Sequence, residues 1–259
     1  MVTTQIRDEQ RARAADRALA RSVLYQLLSQ ALTYPEPETL ATLKDDDLPQ
    51  ALEVLEQLPP EVARCLRALG ERLEDTDAAE LQLEHRRIFT HVLTMDCPPC
   101  ETLYTARHLF QETQELSDIG GFFRAFGLEL AERERPDHIS VELEFMHVLA
   151  YKEAYALLHH GPTKARLCRR AQRKFMQDHL GRWAPLFAQR LQEKAGGGYF
   201  GSVAALLDAV ISAEVRLLRA RPEAVFASPQ WRTTDPEDDG CPAVDECPLV
   251  TSGGDHALR

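Results

Sequence analysis

The sequence predicts a single all-α domain of about ten helices, and three features of its 259 residues support this fold class. First, the apolar residues are rich in Leu and Ala, whose side chains lose less rotamer freedom in a helix than those of Val and Ile. Second, apolar positions recur at helical spacing along most of the chain. Third, no useful stretch alternates apolar and polar residues in the manner of a half-buried strand.

The predicted helices follow one another with breaks at proline and glycine. The first amphipathic helix covers 17–32 and stops before Pro35. Two prolines make 96–100 a loop, and Gly127 and Gly161 suit left-handed helix ends. Asp137 suits the N-cap of the clearest helix. The further predicted helices are 39–44, 50–57, 60–70, 77–91, 101–116, 118–126, 137–160, 163–180, 182–194 and 201–219.

The domain organisation follows from a shift in composition near the carboxyl end. Residues 1–227 carry the helical patterns and form the predicted domain. After residue 227 the chain is rich in Pro, Asp, Gly and Ser, so 228–259 is expected to be a disordered or loosely attached acidic tail.

The charge balance and the amino-terminal segment limit the possible partners. With 41 acidic and 30 basic residues the formal net charge is -11, which disfavours nucleic acid and anionic lipid as partners. The first 30 residues lack the apolar stretch of a secretory signal, and no segment approaches the length of a membrane span. A cytoplasmic location with reduced cysteines is expected.

Sequence motifs of catalysis are missing. The chain has no Walker-type phosphate loop, no GxGxxG after a strand, no HExxH and no GxSxG. We therefore expect a binding protein and not an enzyme.

The run ERPDHISVELEFM at 134–146 is the most informative stretch. On a helix, His138, Glu142, Phe145 and Leu149 share one face, and such a strip, if exposed, would form the wall of a peptide-binding groove. The alternative is structural, with Asp137 as a cap, a His138–Glu142 pair and a core Phe145. A metal pair of His138 and Glu142 is a third possibility.

This run resembles the signature of the TorD/DmsD/NarJ group of redox-enzyme maturation chaperones. PPCETLY at 98–104 is similar to the group's Pro-Pro-aromatic-Glu-Ser/Thr loop. Phe175, His179-Leu180 and Trp183 are similar to its Phe-x3-His-Leu-x2-Trp element. The resemblance covers about residues 20 to 220, and 111–127 looks most like the branch serving type II dimethyl sulfoxide reductase-like enzymes.

The resemblance implies a function. Such a chaperone binds the catalytic subunit of a molybdenum oxidoreductase, through its twin-arginine leader or a folding intermediate. It does so until bis-molybdopterin guanine dinucleotide, the client's own cofactor, is inserted; no cofactor stays bound to the chaperone. By position, the client site would comprise Tyr104, Asp137, His138, Glu142 and Phe145. Whether the chain is a monomer or a dimer is left open, as is a generic helical adaptor unrelated to molybdenum.

The cysteines offer an alternative function. Cys100 stands where the family pattern has an aromatic residue, and it creates a Cys97-x2-Cys100 pair. With Cys241 and Cys247 this pair could hold zinc or an iron-sulfur cluster, which would make the chain a helical metal-binding protein. The other expectation is four free thiols.

Overall fold

The computed structural model describes residues 2–74, 76–89, 96–131 and 134–225, with side chains from residue 8 onward. The predicted all-α class is confirmed, because the secondary structure of these residues is helical apart from one isolated bridge between Cys100 and His138. The predicted tail at 228–259, with Cys241 and Cys247, lies outside the described residues.

The helices are numbered in chain order. They are α1 Val2–Ala31, α2 Pro37–Thr42, α3 Leu48–Glu53, α4 Pro60–Glu74, α5 Ala78–Phe89, α6 Thr102–Thr105, α7 Leu109–Ala125, α8 Ile139–His159, α9 Pro162–Asp178, α10 Leu180–Ala195 and α11 Tyr199–Leu218. A π-helical turn at Leu43–Asp47 connects α2 to α3, and a 3-10 turn at Leu55–Gln57 follows α3. None of these helices combines the length and apolar character that a membrane crossing requires.

Helix α1 begins at Val2 and not at residue 17 as predicted. Two further predicted boundaries are wrong for local reasons. Gly70 does not end α4, which continues through it to Glu74, because the next turn buries Leu73 in the core. The region predicted as two helices, at 101–116 and 118–126, does form two helices, but the break between them lies near residue 107. His108 starts α7 there by accepting a hydrogen bond from the Gln111 amide, and α7 runs on without a break at residue 117.

Helix α8 lies at the centre of the fold. It packs against α1 along much of its length and against α9 on another side. Ile139, Leu143, Met146 and Leu149 are fully buried along it. This explains why the start of α8 can organise residues from several distant segments.

A buried ionic network joins α1 to three other helices. Arg21 of α1 donates to both carboxylate oxygens of Glu214 in α11, at 2.7 and 2.6 Å. It also donates to Glu153 of α8 at 3.1 Å and to Gln172 of α9. Arg169 pairs with the other oxygen of Glu153 at 3.1 Å. The two arginines and the two glutamates of this network therefore compensate one another's charge.

Candidate functional site

The site begins where the 96–101 loop pairs with the residues that precede α8. The Glu101 amide donates to the Asp137 carbonyl at 2.9 Å, and the Ile139 amide donates to the Pro99 carbonyl at 2.8 Å. These two bonds form the antiparallel bridge between Cys100 and His138. Proline lacks an amide hydrogen but keeps its carbonyl, so the double-proline loop can still accept this bond.

Asp137 is fully buried and fixes the loop to α6. Its Oδ2 accepts from the Thr102 amide at 3.2 Å and from the Thr102 hydroxyl at 2.7 Å. Arg135 donates to both carboxylate oxygens, at 2.9 and 3.0 Å. Burial disfavours the charged form, but the hydrogen bonds from Arg135 and Thr102 outweigh it and lower the pKa of Asp137. The prediction that Asp137 caps α8 is wrong.

His138, and not Asp137, is the N-cap of α8. Its Nδ1 accepts from the Ser140 amide at 3.3 Å and lies 2.7 Å from the Ser140 hydroxyl. Burial lowers the pKa of His138, which keeps the ring neutral and able to accept. The suggested pairing with Glu142 does not form, because Ser140 occupies Nδ1 and Glu142 turns to other partners.

Glu142 lies fully buried against residues from two other segments. Its Oε2 accepts from the Trp183 indole at 3.2 Å, and its Oε1 is buried beside the Glu101 carboxyl without a hydrogen-bond partner of its own. Burial, followed by the charge of Glu101, raises the pKa of Glu142 well above its usual range. The protonated form of Glu142 is therefore favoured. His179 Nδ1 lies 3.1 Å from Glu101 Oε2 on the other side.

Tyr104 and Phe145 are also buried. The Tyr104 ring lies 5.2 Å from the Trp183 ring, and the Arg190 guanidinium lies 5.5 Å from the Tyr104 centroid. Phe145 packs against Phe123 and Phe175, each at 4.8 Å between centroids. Burial raises the pKa of the Tyr104 hydroxyl, so this ring stays neutral.

The prediction of an exposed polar strip on α8 is therefore wrong. Asp137 and Glu142 have no exposed surface, Phe145 is 2% and Tyr104 7% exposed, and only His138 is partly accessible. The hydrogen bonds of Asp137, His138 and Glu142 come from other residues of the chain, so the helical periodicity of α8 alone could not predict this environment. What the structure does show is that all three sequence motifs converge, through Glu101, Glu142, His179 and Trp183.

The structure gives the metal alternatives no support within its described residues. No group of three or more His, Cys, Asp or Glu side chains there is arranged to hold an ion. Cys97 and Cys100 are buried, and burial raises the pKa of each thiol to about 12. His138 and Glu142 face separate partners.

An open groove of about 330 Å³ lies on the other side of Phe145. Its floor is apolar and combines the end of α7, the segment after it and one face of α8. The apolar lining residues are Phe123, Leu128, Leu130, Ala131, Val141, Phe145 and Val148. Phe145 therefore has one side in the aromatic core and the other against a surface groove.

The groove has an acidic rim. Glu129, Glu134 and Glu144 line it and are exposed to solvent, and no lysine or arginine is among its described lining residues. Three carboxylates around an apolar floor match a ligand that carries cationic groups beside an apolar segment. These residues were not among the predicted site residues, although Val141, Glu144 and Val148 share a face of α8 and could have indicated the groove.

The fold is all-helical, and the groove with its acidic rim is its candidate binding surface. The match of residues 55–189 to the model of the nitrate reductase delta subunit family then shows which family the chain belongs to. It is a member of this family of redox-enzyme maturation chaperones, which are assembly factors and not catalysts.

Several relatives agree with this membership. The chain is 30% identical over 224 residues to the perchlorate reductase assembly chaperone protein of Dechloromonas aromatica (strain RCB), covering 81% of this chain and 95% of that protein. It is 39% identical over 79 residues to the selenate reductase assembly chaperone protein of Thauera selenatis, covering 30% and 40% respectively. It is 25% identical to chaperone protein TorD of Vibrio parahaemolyticus, covering 70% and 84%. The resemblance found in the sequence motifs is confirmed.

Proposed function

We propose that this chain is the dedicated chaperone of one molybdenum-containing oxidoreductase. It binds the catalytic subunit in the cytoplasm, through the twin-arginine leader or a folding intermediate, and keeps it competent for cofactor insertion before export. The single observation that carries this proposal is the apolar groove with its three exposed carboxylates.

The relatives support a client of the type II dimethyl sulfoxide reductase-like class. Their names associate them with the assembly of perchlorate, selenate and chlorate reductases. The cofactor of such a client, bis-molybdopterin guanine dinucleotide, belongs to the client and would be inserted while the chaperone holds it.

The five predicted site residues would act in two ways. Phe145 touches a bound client directly, because its side chain lines the groove. Tyr104, Asp137, His138 and Glu142 act indirectly, since they hold α6 and the 96–101 loop against the start of α8 and so fix the shape of the groove. Of the five predicted site residues, only Phe145 is therefore assigned direct contact with the client.

The proposal is tested by reversing the charge of the rim. In a host that coexpresses the client's catalytic subunit, Glu134→Lys with Glu144→Lys should lower both the amount of client that copurifies and the client's molybdenum content. Each introduced lysine repels the arginines that the carboxylates attract.

The matched control is Glu71→Lys with Glu80→Lys, which changes the net charge equally at exposed positions on α4 and α5. Copurification that is unchanged in the rim variant, or reduced equally in both variants, would contradict a client site at the groove.

A further inference from the structure

A line of exposed apolar side chains continues from the groove along α8. Tyr151 is 51%, Tyr155 46% and Leu158 52% exposed. They stand at i, i+4 and i+7, so they share one face of the helix. We call these three residues the α8 stripe. Large apolar side chains exposed together on one face indicate an interaction surface.

The α8 stripe is continuous with the groove. Val148 lines the groove and precedes Tyr151 by three residues, which places it on the same side of the helix. Glu144, at the acidic rim, precedes Val148 by four residues. From Glu144 to Leu158 the surface therefore changes from carboxylate to apolar over about 21 Å.

The charged and apolar side chains along the acidic rim and the α8 stripe fit one kind of ligand. A peptide with a cationic part followed by an apolar part matches it, with the cations at Glu134 and Glu144 and the apolar part beside Tyr151 and Tyr155. Tyrosine suits such a surface because its ring gives contact area while its hydroxyl remains hydrated.

We propose that the client's leader lies along α8 in one fixed direction, with its arginines at the acidic rim and its following apolar segment on the α8 stripe. This inference rests on the proposed function and adds a second contact region with a defined polarity. About 14 helical residues, or about six extended ones, span the distance.

Two synthetic peptides with two adjacent arginines test the inference. The long peptide continues for about 14 Leu, Ala and Ser residues, enough to reach Leu158 in a helical conformation. The short peptide ends directly after the arginines. Affinities are measured by fluorescence anisotropy for the full chain, for a stripe variant (Tyr151→Ser with Tyr155→Ser) and for the rim variant (Glu134→Lys with Glu144→Lys).

The stripe variant should bind the long peptide about tenfold more weakly than the native chain and the short peptide equally well, because only the apolar contact is lost. The rim variant should bind both peptides more weakly. Leu83→Ser on α5, where the native side chain is 64% exposed, is the control for losing a surface apolar group and should change neither affinity.

The possible outcomes distinguish a failure of the α8 stripe inference from a failure of the proposed function. An unchanged affinity of the stripe variant for the long peptide, together with a weakened rim variant, overturns the inference and leaves the proposed function standing. If the stripe variant and the rim variant both bind the peptides with the affinity of the native chain, the proposed function is overturned as well. Concentration-dependent dimers of the native chain that disappear in the stripe variant, seen by sedimentation, would assign the stripe to a second copy and overturn the inference.

Discussion

Glu142 illustrates how one residue can connect segments that are far apart in the sequence. Its carboxyl accepts from Trp183 and lies beside Glu101, and burial favours its protonated form. A neutral Glu142 tolerates the neighbouring Glu101, whereas two adjacent carboxylates would repel each other in a buried site. One proton on Glu142 therefore removes a repulsion at the place where the 96–101 loop meets α8.

This dependence predicts a change of stability with pH. The folded-state pKa of Glu142 is raised, so its contribution to stability is complete below the unfolded-state value of about 4.3 and is lost as pH rises through the folded-state value. Glu142→Gln keeps the side chain neutral without the titration. The variant should therefore lose less stability than the native chain as pH rises from about 4.3 towards the raised folded-state pKa.

Urea unfolding across this pH interval measures the difference. Glu144→Gln is the matched control, since Glu144 is an exposed carboxylate on the same helix, and it should follow the native curve. Parallel curves for Glu142→Gln and the native chain would show that the proton on Glu142 contributes nothing to stability.

At the scale of elements, a short loop is attached to the start of a long helix by Asp137. Thr102 and Arg135 satisfy the carboxylate on both sides, and two backbone bonds close the bridge next to it. The loop, α6 and the start of α8 therefore behave as one structural unit.

Removing the carboxylate should loosen this unit. Asp137→Ala leaves the buried Thr102 amide and hydroxyl without an acceptor, and we expect a loss of about 3 kcal/mol in the free energy of unfolding. His138→Ala removes only a helix cap and should cost about 1 kcal/mol. Chemical denaturation of both variants gives the comparison, and equal losses would contradict the central role of Asp137.

The elements were largely predictable from the sequence, while the environment of the site was not. Apolar spacing located α8 and α11 because each buries a continuous face. The burial of Glu142 could not be predicted, since its partner Trp183 is 41 residues away and a helical glutamate is normally solvated. The motif resemblance did pick out the three stretches that contain Glu101, Glu142, His179 and Trp183, but not that these four residues would meet inside the fold.

At the scale of the whole molecule, the Arg21 network ties four helices to one arrangement. The guanidinium has several donors in a fixed plane, and Glu153, Gln172 and Glu214 each take at least one of them. Small shifts of any helix would leave a buried charge unpaired, which is costly.

Arg21→Ala should therefore destabilise the entire domain. We expect a loss of about 3–5 kcal/mol, because the Glu214 carboxylate would remain buried without its cation. Arg17→Ala, one turn earlier on α1 at an exposed position, should change stability by less than about 0.5 kcal/mol. Thermal melts followed by circular dichroism compare the two, and a similar small effect in both would contradict the importance of the network.

The same network has a consequence for biosynthesis. Arg21 and Glu214 are 193 residues apart, so α1 leaves the ribosome long before the carboxylate that completes its ion pair. Until then α1 can pack against α8, but the Arg21 guanidinium lacks its ion-pair partner in α11, and contacts of such long range slow folding. We therefore expect the nascent chain to acquire protease resistance only after residue 214 has emerged, in a single late step and not gradually from its amino end.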